Sequence, residues 1–153
     1  MELNFLGHGI NFDGSLLLSK SSESRLKGKL KKLSQRNAGK SFGEVVGKLN
    51  RLLIGWLHYF KYAKMKTKLA GIGSWLRHRL RCYRLKQCKR AIGISRLLHK
   101  LGVPKNRSWT TASSRKGWWR KAATPAAHEG MNNLWFAKIG LIDMVSAYTK
   151  LKV

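Results

Sequence analysis

No carboxylate occurs anywhere between Glu44 and Glu129, while lysines and arginines recur throughout that stretch. Over the whole chain 32 Lys and Arg face six Asp and Glu, for a net charge of +26 and a pI near 11. A surface this one-sided repels itself, and only a polyanion neutralises it. Folding against that repulsion needs an apolar core. Hydrophobic residues at 43% and aromatic residues at 10% supply one, far more than a disordered basic tail holds. At 153 residues the chain suits one domain, or one domain with a small appendage.

The polyanion could be nucleic acid or a membrane surface. A membrane-binding helix keeps its basic face opposite an exposed apolar face within one segment. Here the Trp and Leu positions are spread over several helical stretches that can bury them against each other. Nucleic acid is therefore the expected partner, and no membrane is. No apolar run is long enough to span a bilayer. The opening residues MELNFLGHGI have neither a basic leader nor an apolar signal stretch, so a cytoplasmic location is expected. Cys82 and Cys88 fit a reduced compartment and match no disulfide framework.

Along the chain, Glu2–Ile10 and Ser15–Ser19 are short apolar-containing runs around Asn11-Phe12-Asp13-Gly14, and Asp-Gly between such runs predicts a β-hairpin. From Ser21 the pattern turns helical, with Leu26, Leu30 and Leu33 on one stripe and Arg25, Lys27, Lys29, Lys31 and Lys32 on the other faces. Asn37-Ala38-Gly39 ends that helix, and Ser41 with Glu44 forms a capping box for the next. Its stripe is Val45, Leu49, Leu52, Trp56 and Phe60, widened by Leu53 and Leu57, which places Trp56 in the core. A third helix is predicted from about Lys68 to Arg90, with Leu69, Ile72, Leu76, Leu80 and Tyr83 inside. Ser95–Leu101 is a short helix closed by Gly102 and Pro104, and Lys105–Arg115 reads as a polar loop. Thr124-Pro125 starts a helix expected to reach Gly140, and a last helix spans about Leu141–Leu151. No internal repeat or low-complexity linker is present.

Two clusters carry candidate chemistry. On the third helix, Arg77, Arg79, Arg81, Arg84, Lys86, Lys89 and Arg90 occupy most of the circumference outside the Leu76/Leu80/Tyr83 stripe. An ordinary solvated face mixes signs; this one does not, and the planar fork of Arg grips phosphate oxygens bidentately. Arg77 and Arg81, one turn apart, are expected to form an exposed patch. The second cluster is Ser114–Lys121, where Arg115, Lys116, Arg120 and Lys121 surround Trp118 and Trp119, and Gly117 lets a backbone approach. Aromatic rings among cations can stack on unpaired bases, although at least one of these tryptophans is expected to anchor the core.

Other patterns carry no chemistry. Gly39-Lys40-Ser41 lacks the glycine five residues earlier that a phosphate-binding loop needs; position 34 is Ser34. His78, Cys82 and Cys88 have no second pair at zinc-site spacing, and His8, His58, His99 and His128 are scattered. Six isolated acids cannot easily build the clustered carboxylates by which polymerases hold magnesium. No metal, cofactor or catalytic residue is expected.

In order along the chain stand FLG at Phe5–Gly7, LN at Leu49-Asn50, GW-x-x-YF at Gly55–Phe60, W-x-R-x-RLRCY at Trp75–Tyr83 and KQ-x-KR at Lys86–Arg90. LG at Leu101-Gly102, SRKGWWR at Ser114–Arg120, TPA-x-H at Thr124–His128 and N-x-WF-x-x-x-GL at Asn133–Leu141 follow. From about Phe5 onward this series resembles the maturase-specific segment, domain X or thumb, of group II intron-encoded reverse transcriptases. The resemblance implies a domain that follows the palm, packs along bound nucleic acid and helps intron RNA reach its splicing-active fold while the RNA supplies the chemistry. It carries the basic helix onto Arg77, Arg79, Arg81, Lys86 and Lys89, and the downstream basic turn onto Arg115, Lys116 and Gly117. The strand FLGHGI resembles the end of the palm, with His8 where the pattern often has an aromatic residue. The fingers and palm with their metal-binding aspartates are not in this sequence, so polymerase activity is not expected of it, and no endonuclease is expected after Val153.

The expectation is a mainly α, thumb-like helical bundle. Residues 1–20 form a hairpin resembling the palm's end, and residues 21–153 form the maturase-specific domain. Its function is expected to be non-catalytic binding of structured group II intron RNA in support of splicing. DNA or an RNA–DNA duplex stays open as a ligand, and a separate fingers-palm polypeptide as a partner. The alternatives are a general packaging or ribosome-associated structural protein, and the thumb of a split or truncated reverse transcriptase.

Overall fold

A computed structural model describes residues 3–5 (backbone only), 7–10, 14–36 and 39–151. Among them three short strands precede nine helices: β1 (Leu3–Phe5), β2 (His8–Ile10), β3 (Leu16–Leu18), α1 (Lys20–Leu33), α2 (Phe42–Phe60) and α3 (Lys66–Gln87). These are followed by α4 (Ala91–Lys100), α5 (Lys105–Ala112), α6 (Trp118–Ala122), α7 (Pro125–Gly130), α8 (Asn133–Lys138) and α9 (Met144–Leu151). The protein is thus mainly helical with an antiparallel N-terminal hairpin, as its patterning predicts.

The hairpin gains a strand. The run Glu2–Ile10 folds back at Gly7, so β1 pairs with β2 (Phe5 opposite His8) and β2 with β3 (His8 opposite Leu18), in the order β1-β2-β3. Gly7 takes φ +84°, and a Cβ there would stand 2.8 Å from Ser22 Oγ, so the corner requires glycine. Its carbonyl accepts hydrogen bonds from Ser19 Oγ (2.8 Å) and Ser22 Oγ (2.7 Å), which clamps the sheet to the first turn of α1. Lys64 N donates to Leu16 O (2.8 Å) and ties the other edge to the α2–α3 connection. Residues 11–13 of the expected Asp-Gly turn lie outside the described residues, as do Asn37 and Ala38 of the expected stop after α1.

Helix starts follow their capping chemistry. Ser19, Ser41, Thr124 and Asn132 each accept a backbone N–H of the first turn of α1, α2, α7 and α8. Two expectations fail. Lys105–Ala112 is a helix, not a loop: it sits on α4 through buried Ser108 and Ala112, so small residues anchor it and leave no large apolar period to read. The helix from Pro125 stops at Gly130 rather than Gly140. Gly130 lies against Leu98, Leu101 and Val103, Met131 leaves helical geometry (φ −103°, ψ 62°), and Asn132 caps a new helix by accepting Trp135 N (2.9 Å).

Buried side chains form two apolar clusters. The first joins Leu18 of the sheet, Leu26 and Leu30 of α1, Leu49, Leu53 and Leu57 of α2, Leu69, Leu76 and Leu80 of α3, and Met144 and Tyr148 of α9. The second joins Cys82 and Leu85 of α3 to Ile94, Leu98, Val103, Ala112, Ala122 and Met131. Helix α3 contributes to both. On α2 the fully buried line runs through Leu49, Leu53 and Leu57, while Leu52 and Trp56 are half-buried at its flank, so Trp56 is not the core anchor its position in the stripe suggests. Asn50 on the same helix donates to Gly140 O (2.7 Å) and accepts Ile142 N (3.0 Å), holding the α8–α9 turn.

Candidate nucleic-acid interface

The basic residues of α3 do not share one environment, because the helix is buried on two sides. Besides Leu76, Leu80 and Tyr83, the side carrying Cys82 and Leu85 packs under the second cluster. The cations are squeezed into the sectors between. Arg81 is buried (5% exposed); its Nε donates to Met131 O (2.8 Å) and its guanidinium lies 5.2 Å from the Phe136 ring centroid. Burial, with the charge of Arg77 adding to it, lowers the Arg81 pKa to about 10. The expected exposed Arg77/Arg81 patch is therefore corrected: one turn separates the two, but Arg81 points into the protein.

Arg79 is half-buried and anchors α1. Its Nε donates to Ser34 Oγ (2.9 Å) and one Nη to Lys31 O (3.2 Å) and Ser34 O (3.4 Å), with Trp75 beneath it. A cation on the last carbonyls of a helix is where the helix dipole favours it. Burial lowers its pKa, as does neighbouring Arg36. Arg84 is half-buried against Cys88, with Nη1 3.7 Å from its sulfur. Arg77 folds over Gly73 and lines a cavity of about 260 Å³ with Phe136, Leu141 and Asp143. Lys86 is half-buried, and Lys89 and Arg90 are exposed at the bend between α3 and α4, where Lys89 adopts φ +61°.

The second cluster is brought against the first. Trp119 stacks on His78 of α3 at 3.8 Å between ring centroids, and His78 Nε2 lies 2.9 Å from Trp119 O. Trp118 is half-buried and packs on the flank of the second apolar cluster, as Trp56 does on the first, and Trp119 remains 42% exposed, so neither of the pair is a fully buried core anchor. Arg115, Lys116 and Arg120, close to Trp119 in sequence, are exposed. Lys121 is half-buried, donates to Ala112 O (3.2 Å) and covers the Trp118 ring (5.2 Å). Gly117 has φ −63° and nothing within 4 Å of a Cβ position, so its surroundings are open and the fold itself does not demand glycine.

The barest cationic surface lies on α1, which patterning did not nominate as a site. Lys20, Arg25, Lys27, Lys29, Lys31 and Lys32 are all exposed there, and Arg25, Lys29 and Lys32 recur at steps of four and three on one line. The sequence signal was the narrowness of the Leu26/Leu30/Leu33 stripe, which leaves most of the helix to solvent. Carboxylate partners are scarce throughout. Among the described residues only Lys27, Lys48, Lys68 and Arg107 have one, at Glu23, Glu44, Glu23 and Glu129. The described residues hold no cluster of three His, Cys, Asp or Glu able to bind a metal, and no described helix is long and apolar enough to cross a membrane.

Residues 24–102, just over half of the chain, match the family model described as "Group II intron, maturase-specific domain". No curated protein matches the chain.

Proposed function

Because the chain belongs to the group II intron maturase-specific domain family, we propose that it binds structured group II intron RNA through phosphate contacts and assists splicing without supplying the chemistry. The observation that carries this reading is the surplus of unpaired cations: 32 Lys and Arg in all, of which only four have a carboxylate partner among the described residues. In this reading Arg77, Arg84, Lys86, Lys89 and Arg90 face the RNA together with Arg115, Lys116 and Arg120. Arg79 and Arg81 act from behind by holding α3 in place, and Lys121 braces Trp118. Residues 1–20 correspond to the end of a palm and 21–153 to the maturase-specific domain.

The test is equilibrium binding to a group II intron RNA across salt, paired with a splicing assay with and without protein. Neutralising roughly five to eight phosphates makes log K fall against log salt with a slope of about −4 to −7. A slope shallower than about −2 removes the charge as the binding device. Faster splicing with added protein supports the maturase role. Equal affinity for random duplex and intron RNA, with no effect on splicing, would favour a packaging protein instead.

A further inference from the structure

Beside the sheet, α1 and α2 border a cleft of about 410 Å³ whose two walls differ in chemistry. One wall is cationic: Arg25 and Lys29 sit one turn apart on α1, about 6 Å along its axis, exposed and without a carboxylate contact. The other wall is aromatic: Trp56, Tyr59 and Phe60 of α2. Trp56 packs on Phe60 at 4.6 Å between centroids, and His8 of β2 stacks on Tyr59 at 5.9 Å, so the rings brace one another. Gly7, Ser22 and Leu26 complete the lining. Glu23, the acid of this part of α1, is turned to Lys27 and Lys68.

We propose that this cleft is a binding slot for an unpaired RNA segment, with phosphates along Arg25 and Lys29 and a base against Trp56 and Tyr59. The inference rests on the RNA-binding reading above and adds a second, chemically distinct site to it. A base inside a duplex keeps both faces in its own stack and presents only edges and backbone; an aromatic wall is usable only by a base that has left the stack. A free anion would use the cations and leave the rings unused. The volume falls within the ~300–1,000 Å³ of sites that enclose small ligands, a scale suited to a nucleotide and not to a double helix. The clamp on the Gly7 carbonyl fixes the sheet to α1 and keeps the walls in place before anything binds.

The experiment uses the full chain and an oligouridine carrying a 5-iodouracil, photocrosslinked and digested with trypsin. The adduct is expected in Leu52–Lys61, the peptide holding both Trp56 and Tyr59. Tyr59→Ala is expected to weaken oligouridine binding by about fivefold or more while changing affinity for an RNA duplex of equal length by less than about twofold. Arg25→Ala with Lys29→Ala should shallow the single-strand salt slope by about 1.4, the share of two phosphates. Far-ultraviolet circular dichroism checks that each variant folds. An adduct confined to the Arg115–Lys121 region, with tight intron binding retained, overturns the slot and leaves the RNA-binding reading standing. Equal losses on both RNAs after Tyr59→Ala also overturn it. A chain that binds neither RNA overturns both.

Discussion

Helices α1 and α3 are similarly rich in cations, yet they dispose of their charge in opposite ways. On α1 only Ser22, Leu26 and Leu30 are buried, and its lysines and Arg25 stand in solvent. On α3 nine residues are buried, on the sides of both apolar clusters, and Arg79 and Arg81 are drawn into hydrogen bonds with backbone carbonyls. The number of apolar neighbours around a helix, not the number of its arginines, decides how much charge it offers to a ligand. A long side chain between two packed faces lays its methylenes on apolar surface and spends its head group on whatever acceptor lies at the rim. Arginine braces the fold on α3, whereas the one arginine of α1, Arg25, stands in solvent.

The sharpest way to break this contrast is Arg81→Ala. It removes a charged hydrogen bond and a packed stem, and should cost about 2–4 kcal/mol of folding stability. Thermal and denaturant unfolding measure it. Arg81→Met, which fills the space and carries no charge to desolvate, should recover much of the loss. An unchanged melting temperature in Arg81→Ala would return this residue to the surface.

Arg79→Ala should cost less, about 1–2 kcal/mol, because Arg79 is only half-buried and its contact at Lys31 O lies at the surface, although buried Ser34 also loses a partner. The loss should be local, with faster amide exchange in the last turn of α1. Uniform acceleration throughout the chain would contradict the capping role.

For α1, replacing Arg25, Lys29 and Lys32 with Ala should shift stability by no more than about 0.5 kcal/mol per site. Relief of repulsion works in the stabilising direction. Intron affinity should nonetheless fall by about tenfold, or about 1.4 kcal/mol. Lost stability with intact binding would reverse the comparison between the helices.

The smallest effect concerns His128, an exposed residue whose pKa is lowered by partial desolvation and then by neighbouring Arg81 and His78. The unfolded chain protonates this group first, near its ordinary value of about 6.5, so the folded state is favoured above that pH. Acidification through the lower folded value should remove a small increment of stability. His128→Gln should flatten that part of the melting-temperature profile; an unchanged profile would show that His128 contributes nothing to it.

Much of this architecture was legible because helices bury regular stripes and open with capping residues. Leu26/Leu30, Leu49/Leu53 and Leu76/Leu80 announce three long helices, and Ser41 and Thr124-Pro125 mark where two helices begin. What stayed hidden depends on partners far away in sequence. Nothing near Arg81 says that Met131 will offer it a carbonyl, and nothing near Gly130 says that Leu98 will press against it. Helix α5, held by Ser108 and Ala112, has no apolar rhythm to detect. The two basic clusters were visible as composition. Their meeting through His78 and Trp119 was not, since the residues lie 41 positions apart.

Asn50 and Tyr148 set an order of events for a chain emerging from the ribosome. Asn50 reaches Gly140 and Ile142, and the Tyr148 hydroxyl donates to Ala63 O, across 90, 92 and 85 positions of sequence. The first apolar cluster holds Phe136, Met144 and Tyr148, all beyond the 24–102 segment that matches the family. Contacts this distant close late, after the loop entropy between them has been overcome. Helices α1 to α3 are therefore synthesised before the residues of α9 that cover one side of their core. A nascent chain with that apolar side open and a large positive charge can meet RNA before it has finished folding. RNA bound at that stage would meet a chain on which α9 had not yet docked.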